Sequence, residues 1–120
     1  MSDNVVKTGF GYEVFWTKTE NYYGKIVVFD KPFKTDMTFQ KDKTKSLFIN
    51  EGTFIIRWID TNDGSFYEKE IKEGATFTVN KLMPYSIECV SPGSITEVGD
   101  FVEDTVYKLI PSNNIGMSNV

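Results

Sequence analysis

Short runs of aromatic and β-branched residues recur along this chain of 120 residues, and turn residues close each run before it reaches the length of an ordinary helix. Val, Ile, Thr, Phe and Tyr fit a pleated, half-buried surface, so the pattern predicts strands. They are expected over Tyr12 to Trp16, Tyr23 to Phe29, Met37 to Gln40, Ser46 to Asn50 and Thr53 to Ile59. Further strands are expected over Phe66 to Ile71, Thr76 to Val79, Tyr85 to Val90 and Val106 to Ile110. Asn50-Glu51-Gly52 reads as a tight turn, Asp60 to Gly64 as a polar hairpin connection, and Glu73-Gly74 and Ser91-Pro92-Gly93 as further turns. Many short strands punctuated in this way indicate an all-β sandwich or barrel rather than a parallel α/β sheet.

Side chains alternate along a strand, so Phe54, Ile56 and Trp58 share one face and Thr53, Ile55, Arg57 and Ile59 the other. Both faces are largely apolar. One packs inside the domain; the second meets either the rest of its own chain or another subunit, which makes a homodimer one expectation. The length suits a single domain, placed at residues 8–110, with residues 1–7 and 111–120 as tails or loosely packed edges.

The net charge of −4 and a lone arginine, Arg57, argue against generic nucleic-acid binding. The longest apolar stretches, such as Ile26 to Phe29, are strand-sized, so no membrane association is expected. Cys89 has no second cysteine to pair with, and the start Met-Ser-Asp-Asn lacks the features of a signal peptide. The expected location is cytoplasmic. Histidine is absent altogether, which removes the usual general base and a common metal ligand. Cys89 therefore reads as a buried thiol rather than an activated nucleophile.

The segment Thr8-Gly9-Phe10-Gly11-Tyr12-Glu13 is similar to the Pro-Trp-Gly-Tyr-Glu opening of small cupins. Glu73-Gly74-Ala75-Thr76-Phe77-Thr78-Val79 resembles the glycine-led start of their second motif, and the match runs on through Asn80 to Tyr85. The resemblance is to the C-terminal domain of type II mannose-6-phosphate isomerases and related sugar-isomerase-like cupins. It implies a double-stranded β-helix, or jelly roll, whose interior takes a metal or a small polar substrate. It also implies where the metal ligands should fall. Counting back from Gly52 puts the family's glutamate at Lys45 and two histidines near Phe39 and Lys41, while the third histidine falls at Tyr85.

None of these four residues reproduces the expected ligand, and an ammonium repels a divalent cation beside it. The expectation is accordingly no metal and no cofactor. Asp36, Asp42, Glu51 and Glu88 are carboxylates of the kind that suit Mg²⁺ or Ca²⁺, but their spacing matches no known loop, and solvated turns or strand edges are the stronger account of them. Tyr85, Lys41 and Lys45 are the catalytic candidates, with Tyr85 as acid and a lysine of lowered pKa. Aromatic lining by Phe39, Phe48, Phe54, Trp58, Phe77 and Tyr85, with Gln40, Lys41, Lys45, Arg57 and Glu88 as polar selectors, suits a sugar or sugar phosphate.

Three functions remain open from the sequence. The preferred one is a metal-free small-molecule-binding or structural protein without catalysis. A cofactor-independent sugar or nucleotide-sugar isomerase or epimerase is the second. The third is a protein-interaction domain that uses an outer sheet face.

Overall fold

The computed structural model describes residues 4–101 and 105–109. Ten strands follow one another with no helix among the described residues: β1 (Val5–Lys7), β2 (Gly11–Lys18), β3 (Tyr22–Phe29), β4 (Phe33–Lys34) and β5 (Thr38–Phe39), then β6 (Lys45–Ile59), β7 (Phe66–Lys72), β8 (Thr76–Val79), β9 (Tyr85–Asp100) and β10 (Tyr107–Lys108). All strand pairings are antiparallel.

Two long strands organise the rest. β6 and β9 pair along their whole length, from Lys45 opposite Gly99 to Trp58 opposite Tyr85, with the register shifting between Ile49 and Phe54. On one side of that shift β6 is flanked by β8, and β9 by β3, which carries β2 and β1 in turn. On the other side β6 is flanked by β7, and β9 by β4 and β5. The shift turns one sheet into two layers. Inward residues from both layers form one core, in which Phe29 meets Phe54 edge-on with ring centroids 5.2 Å apart. The result is a jelly roll, in agreement with the expected all-β class.

The corner depends on close backbone approach. A Cβ on Gly93 would lie 1.9 Å from the Glu51 carbonyl oxygen, and Gly52 has φ of +95°. Asn50-Glu51-Gly52 and Ser91-Pro92-Gly93 are thus bulges inside continuous strands and not the strand-ending turns that their composition suggests. Glu73-Gly74 does turn, and Gly64 adopts the positive φ that the hairpin from Asp60 requires.

Val5–Lys7, read from sequence as part of a tail, pair with Tyr12–Val14 as an edge strand. Ile110 and the expected tail at 111–120 lie outside the described residues. Of the two faces that alternation separates, Phe54, Ile56 and Trp58 form the inner one, with the first two fully buried. The opposite phase faces outward: Arg57 bonds Glu68 and Glu88, and Ile55 stands between Glu70 and Glu88 across the neighbouring strands.

Candidate functional site

Charged residues occupy inward positions at one end of the jelly roll. Strand alternation puts Tyr23 and Lys25 in phase with buried Val27 and Phe29 on β3, and Glu97 in phase with Ile95 on β9. Lys45 is in phase with Leu47 on β6, and Lys25 stands directly opposite Glu97. Gly99 separates Tyr23 from Lys45 in the next cross-strand row, and a Cβ there would come within about 3 Å of both. Its missing side chain lets the two close on Glu97.

Glu97 Oε2 accepts a hydrogen bond from the Tyr23 hydroxyl and lies 3.9 Å from Lys25 Nζ and 3.8 Å from Lys45 Nζ. Lys25 also bonds Glu13 at 3.2 Å, and Lys45 Nζ sits 4.9 Å from the centre of the Tyr85 ring. The side chains of Lys25, Lys45 and Glu97 are all more than four-fifths buried. Buried charges persist when each finds a partner, and here they interlock.

Burial alone would raise the Glu97 pKa, but the ammoniums of Lys45 and Lys25 and the Tyr23 hydroxyl outweigh it and hold the group below its usual value. Burial pulls Lys45 down, yet Tyr85 and Glu97 more than restore it, so its pKa is raised. Burial lifts Tyr85 and Tyr23 above the ordinary phenol, for Tyr23 with the added push of the Glu97 charge. At neutral pH the site therefore holds carboxylate, ammonium and neutral phenol. The expected lowering of a lysine pKa does not occur at Lys45, because its partners are anionic or accepting.

Two cavities adjoin this cluster. An inner one of about 150 Å³ has Val27, Phe29, Leu47, Ile87 and Ile95 in its wall, together with Glu13, Lys25, Lys45, Tyr85 and Glu97. A more open one of about 290 Å³ shares Lys25, Lys45 and Glu97 with it and adds Phe15, Lys18, Tyr23, Gln40 and Lys43.

Tyr85, Lys45 and Gln40 thus lie where the sequence placed them, at the cavity, and the other candidates do not. Lys41 is exposed with Nζ 5.0 Å over the Tyr107 ring, and Phe39 stacks on the same ring, whereas Gln40 between them reaches the cavity. Arg57 is turned outward and held by Glu68 and Glu88. Trp58 lines a separate groove with Phe77 and stacks on Tyr67, while Phe48 is exposed and Phe54 is core. Cys89 is buried, which raises its thiol pKa.

Sequence reasoning missed Glu97, Lys25, Glu13 and Tyr23. The available signal was a charged residue in the buried phase of an apolar strand, as in Tyr23-x-Lys25-x-Val27-x-Phe29.

No family model and no curated protein sequence matches this chain. Solved structures do. Oxalate decarboxylase from Bacillus subtilis superposes with a TM-score of 0.77 at 16% identity, over 96% of this chain and 34% of that one. The oxalate decarboxylase–formate complex from Lactobacillus farciminis gives 0.75 at 14% identity, over 96% and 38%. An RmlC-like cupin from Shewanella frigidimarina gives 0.68 at 16% identity, over 82% and 84%. The fold is therefore that of the cupins, and the chain spans about a third of the decarboxylases' length. Likeness at these identities defines architecture and no activity.

Bacillus subtilis oxalate decarboxylase has Mn(II) centres. The cluster here does not fit such an ion, since two ammoniums already stand within 4 Å of the Glu97 oxygen that would have to ligate it. Among the described residues no three His, Cys, Asp or Glu side chains converge. Asp36 pairs with Lys108, and Glu88 with Arg57 on the outer face, so the four carboxylates considered from sequence do not assemble.

Proposed function

We propose that this cupin-fold chain binds a small polar molecule inside the jelly roll, without a resident metal and without catalysing a proton transfer. The observation that carries the reading is the buried Lys25–Glu97–Lys45 cluster, which forms a shared wall between two adjoining cavities. An interior built only for stability is better filled by apolar groups of similar volume than by charges. The Tyr85 hydroxyl beside the Lys45 ammonium offers a donor, and the apolar wall of the inner cavity offers surface to a ligand's body.

The protonation states support holding over turnover. An isomerase or epimerase needs a base with a pKa near the working pH. Glu97 is pushed away from that range, and Lys45 and Tyr85 keep their protons. A sugar or sugar phosphate is the first class to test.

Ligand-detected NMR against a panel of sugars, sugar phosphates and nucleotide sugars tests the reading. Binding is expected to weaken in Tyr85→Phe with folding unchanged, whereas unaltered binding removes the Tyr85 hydroxyl from the site. Metal content measured after chelator-free purification is expected to fall well below one equivalent. A stoichiometric metal would overturn the metal-free part.

A further inference from the structure

Among the described residues, the outward positions of one layer, that of β8, β6, β9, β3, β2 and β1, make an uncharged surface. Cross-strand register sets Thr76, Phe48, Thr96, Ile26, Val14 and Val5 in a single row across it. A second row runs through Ser46, Val98 and Gly24 on one side, and a third through Val28 and Tyr12 on the other. Charge enters at the ends: Lys7 beside Tyr12, Glu51 beside Ser94 and Asp100 beside Tyr22. The other layer instead turns Arg57, Glu68, Glu70 and Glu88 outward.

Large side chains stand open on the uncharged surface. A Cβ on Gly24 would fall 2.5 Å from Trp16 Cζ2, so the missing side chain is what lets the indole lie down on the sheet. Trp16 nevertheless stays 54% exposed, Phe48 45%, Tyr12 40% and Val98 39%. Polar side chains in the same face bond one another: Asn50 bonds both Ser94 and Thr96, and Ser46 pairs with Thr78. Covering such groups costs little, because their partners are covered with them. Aromatics exposed together on an uncharged sheet face mark a docking surface.

We propose that the occupant of this surface is a second copy of the chain, packed face to face through the same layer in a two-fold dimer. Each copy carries a net charge of −4, so two copies repel except where they meet through a surface without charge. The area suits a copy as well. Six strands about 4.8 Å apart, over the length of β3 at about 3.3 Å per residue, make a face of about 29 by 23 Å. That projects about 650 Å² before side-chain relief is added, and a stable interface needs about 800 Å² of accessible surface from each partner. Two sheets then lie about 10 Å apart with their outward rows interdigitated, and the contact is closed by its own symmetry.

Sedimentation velocity of the full chain at about 10 to 100 µM, the range in which an interface of this size is occupied, tests the inference. Phe48→Glu and Val98→Lys are the variants on the face, and Phe66→Glu is the control on the outer side of the other layer. All three positions are exposed, and circular dichroism melts verify folding, so either face variant suffices where the other fails to fold. The parent is expected to sediment as a dimer of twice 13.7 kDa. Each face variant is expected to weaken the dimer by about thirtyfold or more, since a charge is then desolvated within the contact, and Phe66→Glu to leave it unchanged.

A parent that is monomeric throughout this range would overturn the inference, whether the face stays bare or is covered by residues 110–120 of its own chain. A dimer indifferent to both face variants would overturn it as well. So would a dimer lost in Phe66→Glu and kept in the face variants, which would move the contact to the other layer.

Discussion

Lys45 Nζ stands 3.8 Å from Glu97 Oε2, joining β6 to β9 across the inside of the jelly roll. Neither residue is opposite the other in register: Lys45 pairs with Gly99 and Glu97 with Leu47. The contact is diagonal, and the absence of a side chain at Gly99 leaves room for it. Because both side chains are at least 86% buried, each is the condition for the other's charge.

Lys45→Met keeps the bulk of the side chain and removes its charge, leaving Glu97 to Lys25 and Tyr23. A loss of about 2 kcal/mol in urea unfolding at neutral pH is expected, below the cost of a fully orphaned buried charge because two partners remain. Lys45→Met/Glu97→Gln is expected to cost less than the two single changes added together. Strict additivity would show that the two groups do not interact.

Stability should fall on both sides of neutrality. Glu97 has a folded pKa below its ordinary 4.5, so its contribution is complete above that value and is lost as pH drops through the folded pKa. Lys45 and Tyr85 are raised above 10.5 and 10.0, so their contributions are complete below those values and are lost as pH climbs through the folded ones. Thermal melts followed by circular dichroism should show a plateau between the two limbs. Glu97→Gln should flatten the acid limb, and a limb unchanged by that substitution would contradict the assignment.

Gly93→Ala should destabilise the corner by at least about 3 kcal/mol, since the new Cβ would fall 1.9 Å from the Glu51 carbonyl oxygen and backbone has to move. Gly9→Ala is the control: a Cβ there meets nothing within 4 Å, and its melting temperature should stay near the parent's. Equal behaviour of the two variants would refute the close approach of β6 and β9.

Leu82 has φ of +63° and is half exposed, so it carries left-handed strain with little packing to lose. Leu82→Gly should raise stability by about 0.5–1 kcal/mol, the relief of strain outweighing the added freedom of the unfolded chain. Leu82→Ala should give no such gain. A lower midpoint for the glycine variant in urea would count against the turn geometry.

The charged interior was only half legible in advance. The resemblance to the cupin motifs points to Lys45, counted back from Gly52, and to Tyr85, and both face the cavity. Phe39 and Lys41 come from the same counting, yet both end on Tyr107, while Gln40 between them reaches the cavity. Glu97 escaped because Ser91-Pro92-Gly93 looks like the end of a strand, whereas β9 passes through it to Asp100. Once that continuity is known, Ile95, Glu97 and Gly99 fall into one phase.

Local chemistry in the sequence was enough to place most of the strand segments, the hairpin at Asp60 to Gly64 and the sharing of one face by Phe54, Ile56 and Trp58. Period-two alternation and turn residues act over a few positions, so they need no tertiary information. Only the tertiary structure decided that two apparent turns are bulges in continuous strands, because that outcome depends on backbone from distant segments meeting at Gly52 and Gly93. It also decided which charges meet. Glu13, Lys25, Lys45 and Glu97 come from four strands, and cross-strand register, a long-range property, is what brings them to one place.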